Sequence, residues 1–294
     1  MNEISTLLPT KPSSVLSWHY RLLATLIRGA YIVLPSQAPK WVATLWFTPF
    51  TAKTAPHIKQ WQKTADQCYQ LDHGPVFVWG NEGPLIVAMH GWRGSGWQFR
   101  RFIEPLLKQG YRLALFDAPA HGSSQQKRTH LYQFVDVLEQ INREIGPIES
   151  MIGHSLGCAA ISLAAQTIQP KKVAFISGNF DIESMFRQFC NHLGLPRGLQ
   201  DRVRLAIIDY CNQNIFAGSY ETFSRTVMAE KLRGIPAQFC YDVNDPELDM
   251  SGLTYLQEAL GAEKHTIDNV GHFAILKSAK VVDDVCSFIT SPDN

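Results

Sequence analysis

The sequence predicts an α/β fold: a mostly parallel sheet with helices on both faces, a helical cap insertion and an N-terminal helical extension. Three observations predict it. From residue 75 onward, short runs rich in Val, Ile and Phe alternate with longer amphipathic stretches. The short runs are apolar throughout, the pattern of strands buried on both faces. One stretch, 178–232, breaks the alternation with helical periodicity alone.

Residues 1–70 precede the alternation. Leu22, Leu23, Leu26, Ile27 and Ala30 share a helical face, and Pro35 ends that stretch. Four of the seven tryptophans lie here: Trp18, Trp41, Trp46 and Trp61. The expectation is a helical extension packed on the main domain. An amphipathic segment with aromatics also fits a peripheral membrane contact through residues 18–47, kept as the second reading.

The core is expected over 71–177 and 233–294. Val76–Trp79, Leu85–Met89, Arg112–Phe116, Glu149–Ile152, Lys172–Ile176, Ala237–Tyr241 and Lys264–Ile267 read as strands. Segments 97–108, 131–144 and 156–168 read as helices, and Ser95-Gly96-Trp97-Gln98 reads as a capping box opening the first. Within the cap, 178–232, Ile182, Phe186, Phe189 and Leu193 share one helical face. Val203, Ile207 and Tyr210 mark a second helix, and Phe223, Val227 and Met228 a third. The breaks fall at Gly194 with Pro196 and at Gly218.

Composition narrows the function classes. Hydrophobic residues are 45% and charged residues 18%, an ordinary globular balance. A net charge of +1 provides no bulk field for nucleic acid, so no nucleic-acid partner is expected. Cys68, Cys158, Cys190, Cys211, Cys240 and Cys286 show neither C-x-x-C nor zinc spacing, so free thiols and no metal are expected. The start, Met1-Asn2-Glu3-Ile4, lacks the look of a secretory signal. The apolar run from Leu22 to Leu34 is shorter than the ~20 residues of a membrane span. A cytoplasmic location is the expectation.

The chemistry is expected at Gly153-His154-Ser155-Leu156-Gly157, a G-x-S-x-G sequence. By composition alone such a match arises in about one chain of this length in ten. Its context is more selective: a predicted strand precedes it and an alanine-rich helical run follows, the strand–turn–helix setting of a nucleophile elbow. Side chains at 153 and 157 would clash in so tight a turn, hence glycine. The serine oxygen then projects at a helix N-terminus.

A serine hydroxyl needs a base within hydrogen-bond reach. Of ten histidines, His272 is best placed, following the last predicted strand in Val270-Gly271-His272-Phe273. His154 lies inside the elbow with its side chain directed away from that of Ser155. His90 and His121 precede glycines at strand ends and read as loop-shaping residues. The base needs a carboxylate to fix its tautomer. The candidates are Asp242 and Asp245; Asp245 lies deeper in the loop, better able to reach His272, while Asp242 organises the turn. An oxyanion would be met by the backbone N–H groups of Leu156 and of Trp92, in His90-Gly91-Trp92-Arg93-Gly94.

Taken together, "HGW" at 90–92, "FDAPAHGSS" at 116–124, "GHSLG" at 153–157, "YDVNDPEL" at 241–248 and "VGHF" at 270–273 resemble the α/β-hydrolase superfamily in order and spacing. The resemblance covers roughly 75–290. It implies a Ser155–Asp245–His272 triad, an oxyanion donor at Trp92 and a cap after the sixth strand. Tyr241 departs from relatives that carry histidine there, at a position outside the triad. Serine rather than aspartate at the elbow sets the chain apart from the haloalkane dehalogenase and epoxide hydrolase branches. The implied activity is hydrolysis of a carboxylic ester or thioester of a small-molecule acyl substrate, with no cofactor. Met185, Phe186, Phe189 and Phe223 are expected to line the acyl pocket, with Trp92 and Trp97 at its rim. The same site also serves acyltransferases, amidases and carbon–carbon hydrolases. A non-catalytic ligand-binding protein on this fold is the alternative from another class.

Overall fold

The computed structural model describes residues 18–51 and 53–292. The reading of Met1–Ile4 lies outside the described residues, as does the part of the extension before residue 18. Eight strands form one sheet: β1 (Gln67–Leu71), β2 (Gly74–Trp79), β3 (Leu85–Met89), β4 (Arg112–Phe116), β5 (Ile148–His154), β6 (Lys172–Ile176), β7 (Ala237–Asp242) and β8 (Glu263–Ile267). Their order is β1-β2-β4-β3-β5-β6-β7-β8. The pairs β1–β2 and β2–β4 are antiparallel, and all the others are parallel.

Apolar strands of period two feed two cores. In β3, Leu85, Val87 and Met89 join one cluster, while Ile86 and Ala88 join the other. The first cluster is closed by α5 (Leu131–Glu144) and α6 (Leu156–Ile168). The second is closed by α4 (Arg100–Lys108) and α11 (Ala279–Thr290). The expected helix 97–108 is split: a 3₁₀ turn, Gly96–Phe99, precedes α4, and Gln98 Oε1 accepts from the Ser95 N–H at 3.2 Å.

The N-terminal section is more than a helical extension. It contains α1 (Trp18–Val33), α2 (Ala38–Trp46) and α3 (Pro56–Gln62), and its end is strand β1, so a boundary at residue 70 cuts an element. Strand β1 escapes sequence reading because it is an edge strand of mixed exposure, with no apolar run. Between β6 and β7 lie α7 (Ile182–His192), α8 (Arg197–Asn214) and α9 (Arg225–Lys231). Helix α9 packs on α6 and on α10 (Met250–Leu260), so α7 and α8 are the helices that meet the N-terminal section.

That meeting is specific. Helix α2 packs along α8. The Phe47 ring stands 4.3 Å from that of Tyr210, and Trp46 meets Phe189 edge-on at 5.2 Å. Such aromatic pairs are worth about 0.5–1.5 kcal/mol each beyond their buried area. Arg28 donates from Nε and Nη2 to the Gly194 carbonyl, at 3.1 and 2.6 Å. Farther along, the Thr129 N–H donates to the Phe47 carbonyl at 2.9 Å, tying the section to the loop before α5. All six cysteines are free, and no described helix is long and apolar enough to cross a membrane.

Candidate active site

Ser155 sits between β5 and α6 with φ 52° and ψ −122°, a conformation that L-residues hold only under constraint. The constraint is visible. The Ser155 N–H donates to the Ile176 carbonyl at 3.0 Å, and the Cys158 and Asn179 N–H groups donate to the Ser155 carbonyl. A Cβ on Gly157 would lie 2.3 Å from the Met89 carbonyl oxygen, and one on Gly153 would lie 2.9 Å from the Cys158 Cα. These are backbone atoms that cannot swing aside, so both glycines are required by the turn.

Asp245 and His272 come from the loops after β7 and β8. The His272 Nδ1–H donates to Asp245 Oδ2 at 2.6 Å. The Asp245 side chain is completely buried, and its Oδ1 accepts from the Glu247 N–H at 2.9 Å. A proton held at Nδ1 leaves Nε2 of neutral His272 as the basic nitrogen. Ser155 and His272 line the same cavity.

Asp242 has a different task. Its carboxylate accepts the N–H groups of Asn244, Asn269, Val270 and Gly271 at 2.6–3.1 Å. Burial opposes its charge, but these four donors outweigh burial and hold the carboxyl below the usual range. Asp242 thereby anchors the backbone immediately before His272.

The loop after β3 lies directly against the serine. A Cβ on Gly91 would come 2.6 Å from Ser155 Cβ and 3.1 Å from its Oγ. Among the described residues, neither the Trp92 nor the Leu156 N–H is engaged in the surrounding turns. The loop's shape is fixed by the two histidines read as loop-shaping. His90 Nε2 accepts from the Ala118 N–H at 2.9 Å, so its Nδ1–H donates to the Gly91 carbonyl. His121 Nε2 accepts from the Arg93 N–H at 3.0 Å, and its Nδ1–H donates to the Pro119 carbonyl.

These neutral forms match the electrostatics. Burial lowers His90 to about 4. Burial, reinforced by His90, lowers His121 to about 3. His154 is lowered to about 3 by burial and by the adjacent His272. The His154 side chain turns away from that of Ser155 and its Nε2–H donates to the His272 carbonyl at 2.8 Å. It therefore holds the backbone at His272, a role its sequence position does not reveal.

The cavity measures about 540 Å³. Of the expected pocket residues, Met185, Phe189, Phe223 and Trp92 line it. Two expectations are corrected. Trp97 lies away from the cavity, edge-on to Trp61 at 4.8 Å with the Arg100 guanidinium over its ring, because the 3₁₀ turn points it toward α3. Phe186 is buried behind the wall, against Trp46 and beneath Arg204. Sequence reasoning missed the N-terminal contribution: Leu23, Leu45, Trp46, Phe47 and Phe50 all line the cavity. It also missed Glu247, whose Oε2 is 4.0 Å from His272 Nε2. Part of the wall is polar: Thr129 Oγ1 and His130 Nδ1 are buried there without a hydrogen-bond partner.

This architecture, a strained strand–turn–helix at the carboxyl end of β5 in a mostly parallel eight-stranded sheet, is the α/β-hydrolase fold. The family profile described as the α/β hydrolase fold matches residues 84–189. The matched stretch runs from the start of β3 past β6 and includes the turn at Ser155; over it this chain is similar to the α/β hydrolases. An uncharacterized hydrolase of Bacillus subtilis, YugF, is 32% identical over 93 residues, which are 29% of this chain and 32% of the relative. The magnesium-chelatase 30 kDa subunit of Rhodobacter capsulatus is 32% identical over 109 residues, 35% of this chain and 36% of the relative. Each match thus spans about a third of the relative's length. A solved bacterial membrane phospholipase A superposes with a TM-score of 0.58 at 15% identity, over 92% of this chain and 97% of that one. At that identity the likeness is one of fold.

Proposed function

We propose that this protein is a serine hydrolase that cleaves a carboxylic ester or thioester through an acyl-enzyme on Ser155. The observation that carries the reading is the 2.6 Å bond between buried Asp245 and His272, on a cavity whose wall includes the constrained Ser155. The match to a relative described as a hydrolase supports it.

In this mechanism Ser155 Oγ attacks the substrate carbonyl carbon as His272 Nε2 takes the hydroxyl proton. Asp245 stabilises the imidazolium and keeps the ring oriented. The N–H groups of Leu156 and Trp92 meet the oxyanion. Collapse of the tetrahedral intermediate expels the alkoxide or thiolate, which leaves with the proton from His272. Water, deprotonated by the same nitrogen, attacks the acyl carbon and returns Ser155–OH and a carboxylic acid. The aromatic and aliphatic lining suits an apolar acyl chain, while Thr129 and His130 offer hydrogen bonds to a further polar group on it.

Labelling with a fluorophosphonate and mapping the modified peptide tests the nucleophile. Modification of Ser155, lost in Ser155→Ala, is the expected result. Labelling elsewhere, or none from a folded protein, overturns the reading. An ester and thioester series graded by acyl length then defines the substrate.

A further inference from the structure

We infer that helices α1 and α2 form a docking surface for an anionic lipid bilayer, which brings the cavity mouth to the membrane. This rests on geometry and charge and is independent of the catalytic reading.

Helix α1 is apolar on two sides. Leu23 and Ile27 face inward, Leu23 reaching the cavity and Ile27 the core. Leu22, Leu26 and Val33, at i, i+4 and i+11, form a stripe on the outside and are 52, 60 and 75% exposed. A helix apolar on both faces normally has both covered. The surface continues through Ile32, Leu34 and Trp41, also exposed. Singly scattered apolar residues need no explanation, but a contiguous set on one hairpin does.

Charge identifies what covers it. Residues 4–65 hold seven basic residues, Lys11, Arg21, Arg28, Lys40, Lys53, Lys59 and Lys63, and no Asp or Glu. The rest of the chain carries 20 basic residues against all 26 acidic ones. Positive charge is thus concentrated in the N-terminal section of a near-neutral chain, with Arg28 and Lys40 on the hairpin itself and Lys53, Lys59 and Lys63 in the segment that follows it. Lys40 is exposed beside Trp41, and Lys53, Lys59 and Lys63 are exposed farther on. Apolar side chains flanked by lysines, with an interfacial tryptophan, match the headgroup region of an anionic bilayer. A second copy of this chain would set basic segment against basic segment across a two-fold contact, which opposes self-association.

The cavity opens within reach of the same section. Phe50 and Phe273 both line the cavity while remaining 66 and 42% exposed, so the mouth is fringed by apolar rings. Phe50 is held with φ 48°, outside the comfortable range for a phenylalanine. An apolar substrate could pass from bilayer to cavity along α1 and Phe50 without crossing open water.

Flotation of the full-length protein with vesicles tests the inference. One set is phosphatidylcholine alone and the other phosphatidylcholine with about a third phosphatidylglycerol. The protein should float with the anionic vesicles, bind neutral ones at least about tenfold more weakly, and be largely released by 0.5 M salt on the order of the Debye screening expected there. The pair Leu26→Glu with Val33→Glu should cut vesicle binding about tenfold or more while leaving the melting temperature and hydrolysis of a short water-soluble ester unchanged. Lys40→Glu with Lys53→Glu should remove the preference for anionic lipid. Failure to float with either vesicle set overturns the inference, as does binding untouched by both variant pairs. Sedimentation velocity at micromolar protein supplies the remaining arm: a dimer that the Leu26→Glu, Val33→Glu pair dissociates means a second copy covers this face.

Discussion

The strand ends and the helical roof enclose one cavity but are built by opposite logic. On the sheet side each key segment is pinned by hydrogen bonds that end on main-chain atoms: Ser155 to Ile176, His272 through Asp242 and His154, and the Gly91 loop through His90 and His121. On the roof side the wall is assembled from side chains far apart in sequence, from Leu23 to Phe223, held by ring contacts and a few side-chain bonds. On the proposed mechanism, reactivity lies with the sheet and selectivity with the roof. Substitutions on the sheet side should change rate on every substrate, and those on the roof should change which substrate is used.

The largest effect should come from the serine. Ser155→Ala removes one oxygen and leaves the backbone bonds of the turn in place, so the fold should survive. Activity should fall by about 10⁶ in kcat, as for other triads. Turnover near that of the parent, in a preparation free of other esterases, would show that the sheet side does not carry the reaction. Asp245→Asn comes next, at about 10⁴ in kcat, because the amide no longer fixes the Nδ1–H tautomer. Asp242→Asn should show the opposite balance. It weakens the anchor of four backbone N–H groups, so the melting temperature should drop while kcat of the folded fraction changes far less. Measuring kcat and melting temperature for both variants separates base-orienting from loop-anchoring; equal kcat losses would erase that distinction.

Acid stability probes the sheet side without touching a reacting group. His90, His121 and His154 are neutral when folded, with values lowered to about 4, 3 and 3, while in the unfolded chain each titrates near 6.5. Below pH 6.5 the unfolded state therefore binds more protons, and stability falls with pH down to the folded values. Each histidine adds a slope of up to about 1.4 kcal/mol per pH unit in that window. Chemical denaturation between pH 7 and 4.5 should show the decline. His121→Gln should flatten it by up to one proton, whatever it does to stability at pH 7. An unaltered slope would mean that His121 is not held neutral by the fold.

The same contrast explains what the sequence makes legible. Strand runs, the G-x-S-x-G turn and the order serine, aspartate, histidine are local signals, and the strands appear within a residue or two of their expected bounds. Loop depth separates the two aspartates: Asp242, at the strand end, is consumed by the turn, while Asp245, deeper in the loop, meets His272. What stays illegible depends on tertiary direction. Helical spacing puts Phe186 and Phe189 on a common face, yet that face is broad enough for one ring to open to the cavity and the other to be sealed behind it. Trp97 is turned by a 3₁₀ segment whose side chains follow a different period. The N-terminal wall residues make sense only once α2 is seen against α8, a contact with no signature in either segment alone.

That pair of phenylalanines gives the smallest effect and the sharpest test of the roof. Phe189 lines the cavity and meets Trp46 edge-on, whereas Phe186 is about 1% exposed and packs against the same tryptophan without reaching the cavity. Phe189→Ala should enlarge the pocket and shift acyl-length preference in kcat/KM, each lost apolar contact being worth about 1–3 kcal/mol of discrimination. It should leave fluorophosphonate labelling of Ser155 nearly unchanged, because a small phosphonate does not need the wall. Phe186→Ala removes a buried ring and the face beneath Arg204, so it should cost about 3–5 kcal/mol of stability. Its length profile should keep the parent shape, with activity on all esters falling in proportion to the folded fraction. Melting temperatures recorded beside one chain-length series decide between them. If both variants shift the profile alike, Trp46 transmits the loss at Phe186 into the cavity, and the wall extends one layer deeper than its lining.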